Sequence, residues 1–171
     1  MRTFKIICVA LMTVLGTAAC SAFDLDSLNP FGNAHEEGET TSSTFGSGPE
    51  QVWIDKAKEN FRHGEYGLAE RYFRRAIEER HSNAEAWLGL AAAYDRLKRF
   101  DEAERAYEVL QRMAGPTPQI LNNLGYHYML KGNFVAAEHT LKAAQAKDPE
   151  NPAIQANLAL LAKWKARGGQ S

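Results

Sequence analysis

The sequence is poor in cysteine, which limits how an exported domain could be stabilised. Only Cys8 and Cys20 occur among the 171 residues. Cys8 lies inside an apolar N-terminal run that is typical of a secretory signal peptide and would be removed with it. A single remaining cysteine cannot form an internal disulfide, so an exported domain of this sequence must be stabilised by packing alone.

An excess of charge of one sign is also absent. The chain has 20 basic and 21 acidic residues, a formal net charge of −1, and the two signs are interspersed. A nucleic-acid-binding surface needs lysine and arginine concentrated on one face. The sequence therefore predicts no nucleic-acid partner.

Sequence motifs for catalysis or metal binding are missing as well. There is no H-E-x-x-H, no cysteine pair with zinc spacing, no phosphate-binding loop and no G-x-S-x-G. The histidines share no ligand spacing, and we expect His139 to be solvated and His127 to be packed or half exposed. The others are His35, His63 and His81. We predict that the protein is not an enzyme and needs no cofactor and no metal.

The chain has no hydrophobic run long enough to span a bilayer, which takes about 20 apolar residues. The longest apolar run covers residues 6–19 and follows Arg2 and Lys5. A positive start and a short apolar run that ends in small residues are typical of a signal peptide. We therefore predict a signal peptide over residues 1–19.

The end of this run, LGTAAC, resembles the lipobox of bacterial lipoproteins, with Thr17 where leucine is commonest. The resemblance implies that Cys20 becomes the first mature residue and carries acyl chains. Several acyl chains would anchor the protein firmly in a membrane, whereas one chain binds only reversibly. The other reading is an ordinary signal peptide cut at an A-x-A-like site, with Cys20 incidental.

Residues 20–49 predict a flexible tether behind the lipidated N-terminus. They are rich in glycine, serine, threonine and acidic residues and have no sustained period. Such a segment buries too little apolar surface to offset the entropy of ordering, and as a coil it would span roughly 30 Å. Four apolar side chains could nevertheless dock on the membrane or on the domain: Phe23, Leu25, Leu28 and Phe31.

The rest of the chain repeats with a period of 34 residues and no gaps. In-phase sets include Trp53, Trp87 and Leu121; Tyr66, Phe100 and Phe134; Ala69, Ala103 and Ala137; and Phe73, Tyr107 and Leu141. This pattern resembles the tetratricopeptide repeat, a helix–turn–helix unit of this length. It implies an all-α solenoid of three repeats, 50–83, 84–117 and 118–151, with a capping helix and tail over 152–171. The predicted helices cover residues 51–63, 66–80, 84–97, 100–113, 119–131, 134–147 and 152–166.

Small residues and helix stops in the third repeat have a physical explanation. Gly125 and Ala137 would let the two helices of the repeat approach closely. Gly132 would end the first helix in a left-handed conformation, and the second would end before Pro149. The last predicted helix would cover the apolar face of the final repeat, as a solenoid requires.

The resemblance implies a concave groove lined by the first helix of each repeat, and it implies a protein partner bound there. Asn123 and Asn157 could offer donors and acceptors to a partner's backbone. The alternative is that both asparagines satisfy neighbouring helix termini. The other predicted groove residues are apolar or aromatic: Ile54, Leu88, Tyr126 and Met129. The tether, the capping helix or a second copy could instead cover them.

The resemblance also excludes one familiar binding mode. Repeats that clamp a chaperone's C-terminal carboxylates use basic and amide residues at five groove positions. Only one of those positions is positively charged here: Ile54, Lys58, Gly89, Gln119 and Asn123. We therefore expect no carboxylate clamp.

A lipobox, a tether, three repeats and a terminal helix together resemble the TadD-like lipoproteins of tight-adherence (Tad/Flp) pilus assembly. The nearest stretch is NNLGYHYMLKGNFVAAEHTLKAAQAKDPENPAIQANLALL. The resemblance implies an assembly factor that binds an envelope protein, the pilus secretin. Ser21 after the lipidated cysteine implies the outer membrane, facing the periplasm. The alternatives are a pilotin-like lipoprotein of type IV pili, another envelope repeat adaptor, and a self-associating structural spacer.

Overall fold

The computed structural model describes residues 48–168, which form seven helices. The helices are α1 (Pro49–Arg62), α2 (Tyr66–Glu79), α3 (Ala84–Arg96), α4 (Phe100–Ala114), α5 (Pro118–Leu130), α6 (Phe134–Lys147) and α7 (Pro152–Gly168). The described part contains no strand. The predicted signal peptide, Cys20 and the predicted tether up to residue 47 lie outside the described residues, and Pro49, the last residue of the predicted tether, begins α1.

The helix ends follow local sequence signals. Prolines occupy the first turns of α1 and α5, where a missing backbone N–H leaves no hydrogen bond unmade. The side chains of Asn83, Thr117 and Asn133 accept hydrogen bonds from backbone N–H groups at the starts of α3, α5 and α6. The helix bounds predicted from the sequence agree with the observed helix bounds to within two residues.

The turn inside each repeat needs one residue with positive φ. Gly64, Lys98 and Gly132 occupy this place at 34-residue spacing, with φ of 77°, 59° and 76°. The left-handed conformation predicted at Gly132 is confirmed. Lys98 adopts the same conformation without the freedom of a glycine, so the second repeat holds some backbone strain there.

Small residues set the close approach of the paired helices. Ala69, Ala103 and Ala137 are completely buried in α2, α4 and α6. A Cβ added at Gly125 would lie 2.6 Å from Cγ of Leu141, so α5 and α6 can pack this closely only with glycine there. These contacts confirm the predicted role of the small residues.

The core is continuous through the repeats and closed by α7. A large apolar cluster joins α1 to α5, and two smaller clusters join α5 and α6 to α7. Ile154, Leu160 and Leu161 of α7 are buried, and Trp164 lies edge-on to Phe134 at 6.5 Å between ring centroids. The last helix therefore covers the third repeat, as predicted.

Candidate functional site

The first helices of the repeats form the inner row of the solenoid. α1 contacts α3, α3 contacts α5, and α5 contacts α7. In the described part of the chain, no Cα atom of α2, α4 or α6 lies within 8 Å of a Cα atom of another of these three helices. The first helices pack closely against one another, whereas the second helices are spaced apart, so the solenoid curves toward the first helices. The solvent-facing side of the first helices is therefore the concave face, and the predicted site lies there.

Three predicted groove residues are part of the core. Ile54, Leu88 and Met129 are 0%, 4% and 1% exposed. Each lies where its helix packs on its neighbours, and Met129 clusters with Leu160 and Leu161 of α7. The prediction that these side chains face solvent is wrong, because neighbouring helices, including the capping helix, cover them.

Asn123 and Asn157 are buried and hydrogen-bonded within the domain. The Nδ2 atom of Asn123 donates to the carbonyl of Gln119, one turn earlier in α5, at 2.9 Å. The Nδ2 atom of Asn157 donates to Oδ1 of Asn122 at 2.9 Å and so joins α7 to α5. Both asparagines are thus engaged inside the domain, but the groups that they bind are not termini of neighbouring helices, as the alternative reading had it.

Tyr126 is the predicted site residue that remains half-exposed. It belongs to a group of four side chains that we call the Tyr126 cluster, three from first helices and one from the start of α2: Phe61, Arg96, Tyr126 and Tyr66. The Arg96 guanidinium donates to the Tyr66 hydroxyl at 2.5 Å and lies 4.9 Å from the centre of its ring. Phe61 meets the Tyr66 ring edge-to-face at 5.2 Å.

Phe61, Arg96 and Tyr126 of this cluster line a small cleft between α1, α3 and α5. Ala92 and Asn123 contribute to its lining. Burial raises the pKa of the Tyr126 hydroxyl, and its hydrogen bond with Arg96 opposes that rise. The hydroxyl is therefore neutral at ordinary pH and, beside the guanidinium, can offer donors to carbonyl or carboxylate oxygens.

A buried polar network lies beneath this cleft. The Tyr107 hydroxyl donates to Oδ2 of Asp95 at 3.0 Å, and Oδ1 of Asp95 lies 2.6 Å from Nδ1 of His127. The three side chains are between 0% and 4% exposed. Burial raises the pKa of the Asp95 carboxyl, while the bonds to His127 and Tyr107 oppose the rise. The same burial, with Asp95 beside it, raises the pKa of Tyr107 well above its usual range.

This network joins α3, α4 and α5 and is almost completely buried, with Asp95 and Tyr107 in the lining of the cleft, so it positions helices rather than a substrate. Sequence reasoning predicted that His127 is packed or half exposed, and it missed the buried partner Asp95. The available signal was an acidic residue in the otherwise apolar stretch LGLAAAYD of α3. A buried acid of this kind requires hydrogen-bonding partners.

No group of three or more potential metal-ligating side chains occurs between residues 48 and 168. Within the same range, no helix is long and apolar enough to cross a membrane. His139 is exposed, as predicted. The candidate site is thus a surface of aromatic, amide and guanidinium groups over a packed interior.

The fold and this surface define a helical-repeat scaffold for protein interaction. Two family models, both described as tetratricopeptide repeat, match residues 61–122 and 99–152 and together cover more than half of the chain. The chain is therefore a tetratricopeptide-repeat protein, and this fold is a non-catalytic interaction scaffold. A search of curated proteins found no match.

Solved structures of the same fold include the first repeat domain of human RPAP3, at 19% identity and a TM-score of 0.63. That match covers 71% of this chain and 96% of the other. The Yersinia enterocolitica type III secretion translocator chaperone SycD, in an alternative dimer, matches at 21% identity and a TM-score of 0.59, over 68% and 93%. SycD in complex with a peptide of the translocator YopD matches at 20% and 0.57, over 67% and 93%.

Proposed function

We propose that this protein is a lipid-anchored scaffold of the bacterial envelope that binds a segment of the Tad/Flp pilus secretin on its concave face. The observation that carries the proposal is that aromatic and guanidinium groups of the Tyr126 cluster remain accessible. The other predicted groove residues are buried. SycD, which has the same fold, was solved with a peptide of its translocator. That complex supports a peptide-binding role for a small repeat domain of this kind.

The chemistry of the cluster favours an extended segment with an apolar side chain and a nearby oxygen acceptor. The half-exposed Tyr126 ring offers an apolar face, and Arg96 offers planar donors beside it. Aromatic and arginine side chains dominate the binding energy of many interfaces. Removing one such anchor typically costs about 2 kcal/mol or more.

The membrane anchor is the second part of the proposal. The sequence LGTAAC supports lipidation of Cys20, and Ser21 supports retention in the outer membrane. A lipid-anchored chain would hold the repeats near a secretin assembling in that membrane. Mass spectrometry of the mature N-terminus should find acylated Cys20, and a first residue at Ser21 or later with no acyl mass would contradict this part.

The binding test compares Tyr126→Ala with Val135→Ala. Val135 is 83% exposed and lies on α6, in the outer row. We expect Tyr126→Ala to reduce secretin co-purification at least tenfold, which corresponds to about 1.4 kcal/mol, and Val135→Ala to leave it unchanged. The asparagines stay intact, because their buried hydrogen bonds would confuse binding with folding.

Circular dichroism and the thermal midpoint must first show that both variants are folded. If folded Tyr126→Ala recovers as much secretin as the wild type, the concave face is not the binding surface. The structural-spacer alternative makes a different prediction: the isolated protein forms a stable oligomer that Tyr126→Ala dissociates.

A further inference from the structure

A second cleft lies on the opposite side of the domain, between α2 and α4. Among residues 48–168, no Cα atom of one helix lies within 8 Å of a Cα atom of the other, and α3 forms the floor between them. The cleft has a volume of about 500 Å³. Its apolar lining comes from all three helices: Ile77, Trp87, Leu90, Tyr94, Ala106 and Val109.

Arginines stand on both walls of this cleft, Arg74 on α2 and Arg105 on α4. Two acids also line it, but each is paired with another arginine: Glu78 with Arg75 at 3.0 Å, and Glu102 with Arg99 at 2.9 Å. Arg74 is 3.3 Å from Glu70, whereas Arg105 is exposed and forms no salt bridge within residues 48–168. Arg99 also pairs with Glu70 at 2.9 Å, so the cleft is an apolar channel whose rim charges are ion-paired within the domain except for the exposed Arg105.

The equivalent positions one repeat later do not have this character. Adding 34 to each residue number replaces the two wall arginines with Glu108 and His139 and replaces Ile77 with Gln111. Trp87 and Val109 likewise become the smaller Leu121 and Ala143. The α2–α4 cleft is therefore specialised beyond what the repeat pattern requires, and it suits an apolar segment with negative charge.

We propose that the chain's own segment 23–31, FDLDSLNPF, docks in the α2–α4 cleft. The segment has four large apolar side chains and two aspartates, Asp24 and Asp26. Residues 20–47 hold five acids and no lysine or arginine, whereas residues 48–168 hold 18 basic and 16 acidic residues. The apolar side chains of the segment match the apolar lining of the cleft, and its aspartates can pair with the exposed Arg105.

The entry point of the chain makes this docking geometrically easy. Glu50, at the start of α1, forms a salt bridge of 2.9 Å with Arg80, the C-cap residue of α2. Ile77 of the cleft lies one helical turn before Arg80, so the chain reaches the described domain near one end of the cleft. A coil of the length that separates Phe31 from Gly48 spans roughly 20–25 Å, and a short flexible linker gives an effective concentration of about 1 mM.

Docking would govern how far the repeats extend from the membrane. Only two residues separate Phe23 from Cys20. With Cys20 lipidated, as the proposed function requires, the docked segment holds the domain against the membrane surface, and release lets it reach the full length of the tether. Docking itself does not depend on lipidation, so its test is independent of the proposed function.

The test is disulfide trapping in the chain from position 20 onward, with Cys20→Ser. Leu28→Cys is combined with Glu78→Cys at the cleft or with Arg112→Cys at the equivalent place one repeat later. Both helix positions are exposed. We expect the intramolecular disulfide to form at least fivefold faster at Glu78→Cys, after correction for the reactivity of each thiol toward a neutral reagent.

Charge reversal provides the second measurement. Arg105→Glu, or Asp24→Lys with Asp26→Lys, should abolish the fivefold preference, and all three changes together should restore it. High salt should weaken it, because exposed charges are screened. Equal trapping at both helix positions would overturn the proposal. So would a preference unaffected by charge reversal, or a product that consists of disulfide-linked dimers.

Discussion

Replacement of Gly89 by alanine gives a direct test of how closely α2 and α3 pack. A Cβ at this position would lie 2.2 Å from Cζ and 2.3 Å from Cε1 of Phe73. Carbon atoms in contact are normally 3.5–4.0 Å apart. The Phe73 ring is rigid and completely buried, so either the ring or one of the two helices must move by roughly 1 Å or more.

The expected cost follows from two opposing effects. Overpacking of a core typically costs about 1–3 kcal/mol, and a rigid aromatic ring places Gly89→Ala at the upper end. Alanine in a helix interior gains about 1 kcal/mol over glycine. We therefore expect a net loss of about 2 kcal/mol in the free energy of unfolding, a fall of roughly 8 °C or more in the thermal midpoint.

Gly67→Ala is the matched control, because nothing lies within 4 Å of a Cβ added there in the first turn of α2. This variant should be as stable as the wild type or slightly more stable. Thermal and urea unfolding, followed by circular dichroism, measure both variants. The packing account fails if Gly89→Ala is as stable as Gly67→Ala, or if shrinking the ring with Phe73→Leu does not recover part of the loss.

Three further changes probe other parts of the structure. Ala103→Leu should lower the free energy of unfolding by about 1–3 kcal/mol, because Ala103 is completely buried, while exposed His139→Ala stays near the wild type in the same melts. Lys98→Gly should raise the free energy of unfolding by up to about 1 kcal/mol, because glycine adopts a positive φ without strain. A lower thermal midpoint would contradict the claim that Lys98 is strained. Burial raises the pKa of the Asp95 carboxyl in the folded state above its unfolded value of about 3.9. Protonation of Asp95 therefore stabilises the fold below the unfolded pKa, and this stabilisation is lost as pH rises through the folded pKa. The wild type should therefore lose stability relative to Asp95→Asn as pH rises, and a pH-independent difference in midpoint would contradict this.

The fold was predictable because the repeat leaves its physical requirements in the sequence. Ala103 and Ala137 recur where paired helices meet, and Gly64 and Gly132 recur where the chain needs positive φ. Lys98 breaks that second pattern. The conformation nevertheless persists there, because the turn length and the packing of the two helices determine it.

The exposure of the concave face was harder to predict. The period assigns Met129 to a groove position, but it does not reveal that Leu160 and Leu161 of the last helix cover the side chain. The same limit applies to Asn157, whose partner Asn122 lies on another helix. Contacts between repeats depend on how each helix is rotated relative to the helix before it. The spacing of residues within the repeat does not determine this rotation.

The concave-face account is tested most directly by site-specific photo-crosslinking in cells. A photoreactive phenylalanine analogue replaces Tyr126 in one strain and Val135, on the outer row, in another. The account predicts an adduct between position 126 and the secretin, and none at position 135. An adduct at position 135 alone, or no secretin adduct at position 126 in a folded, expressed protein, would contradict it.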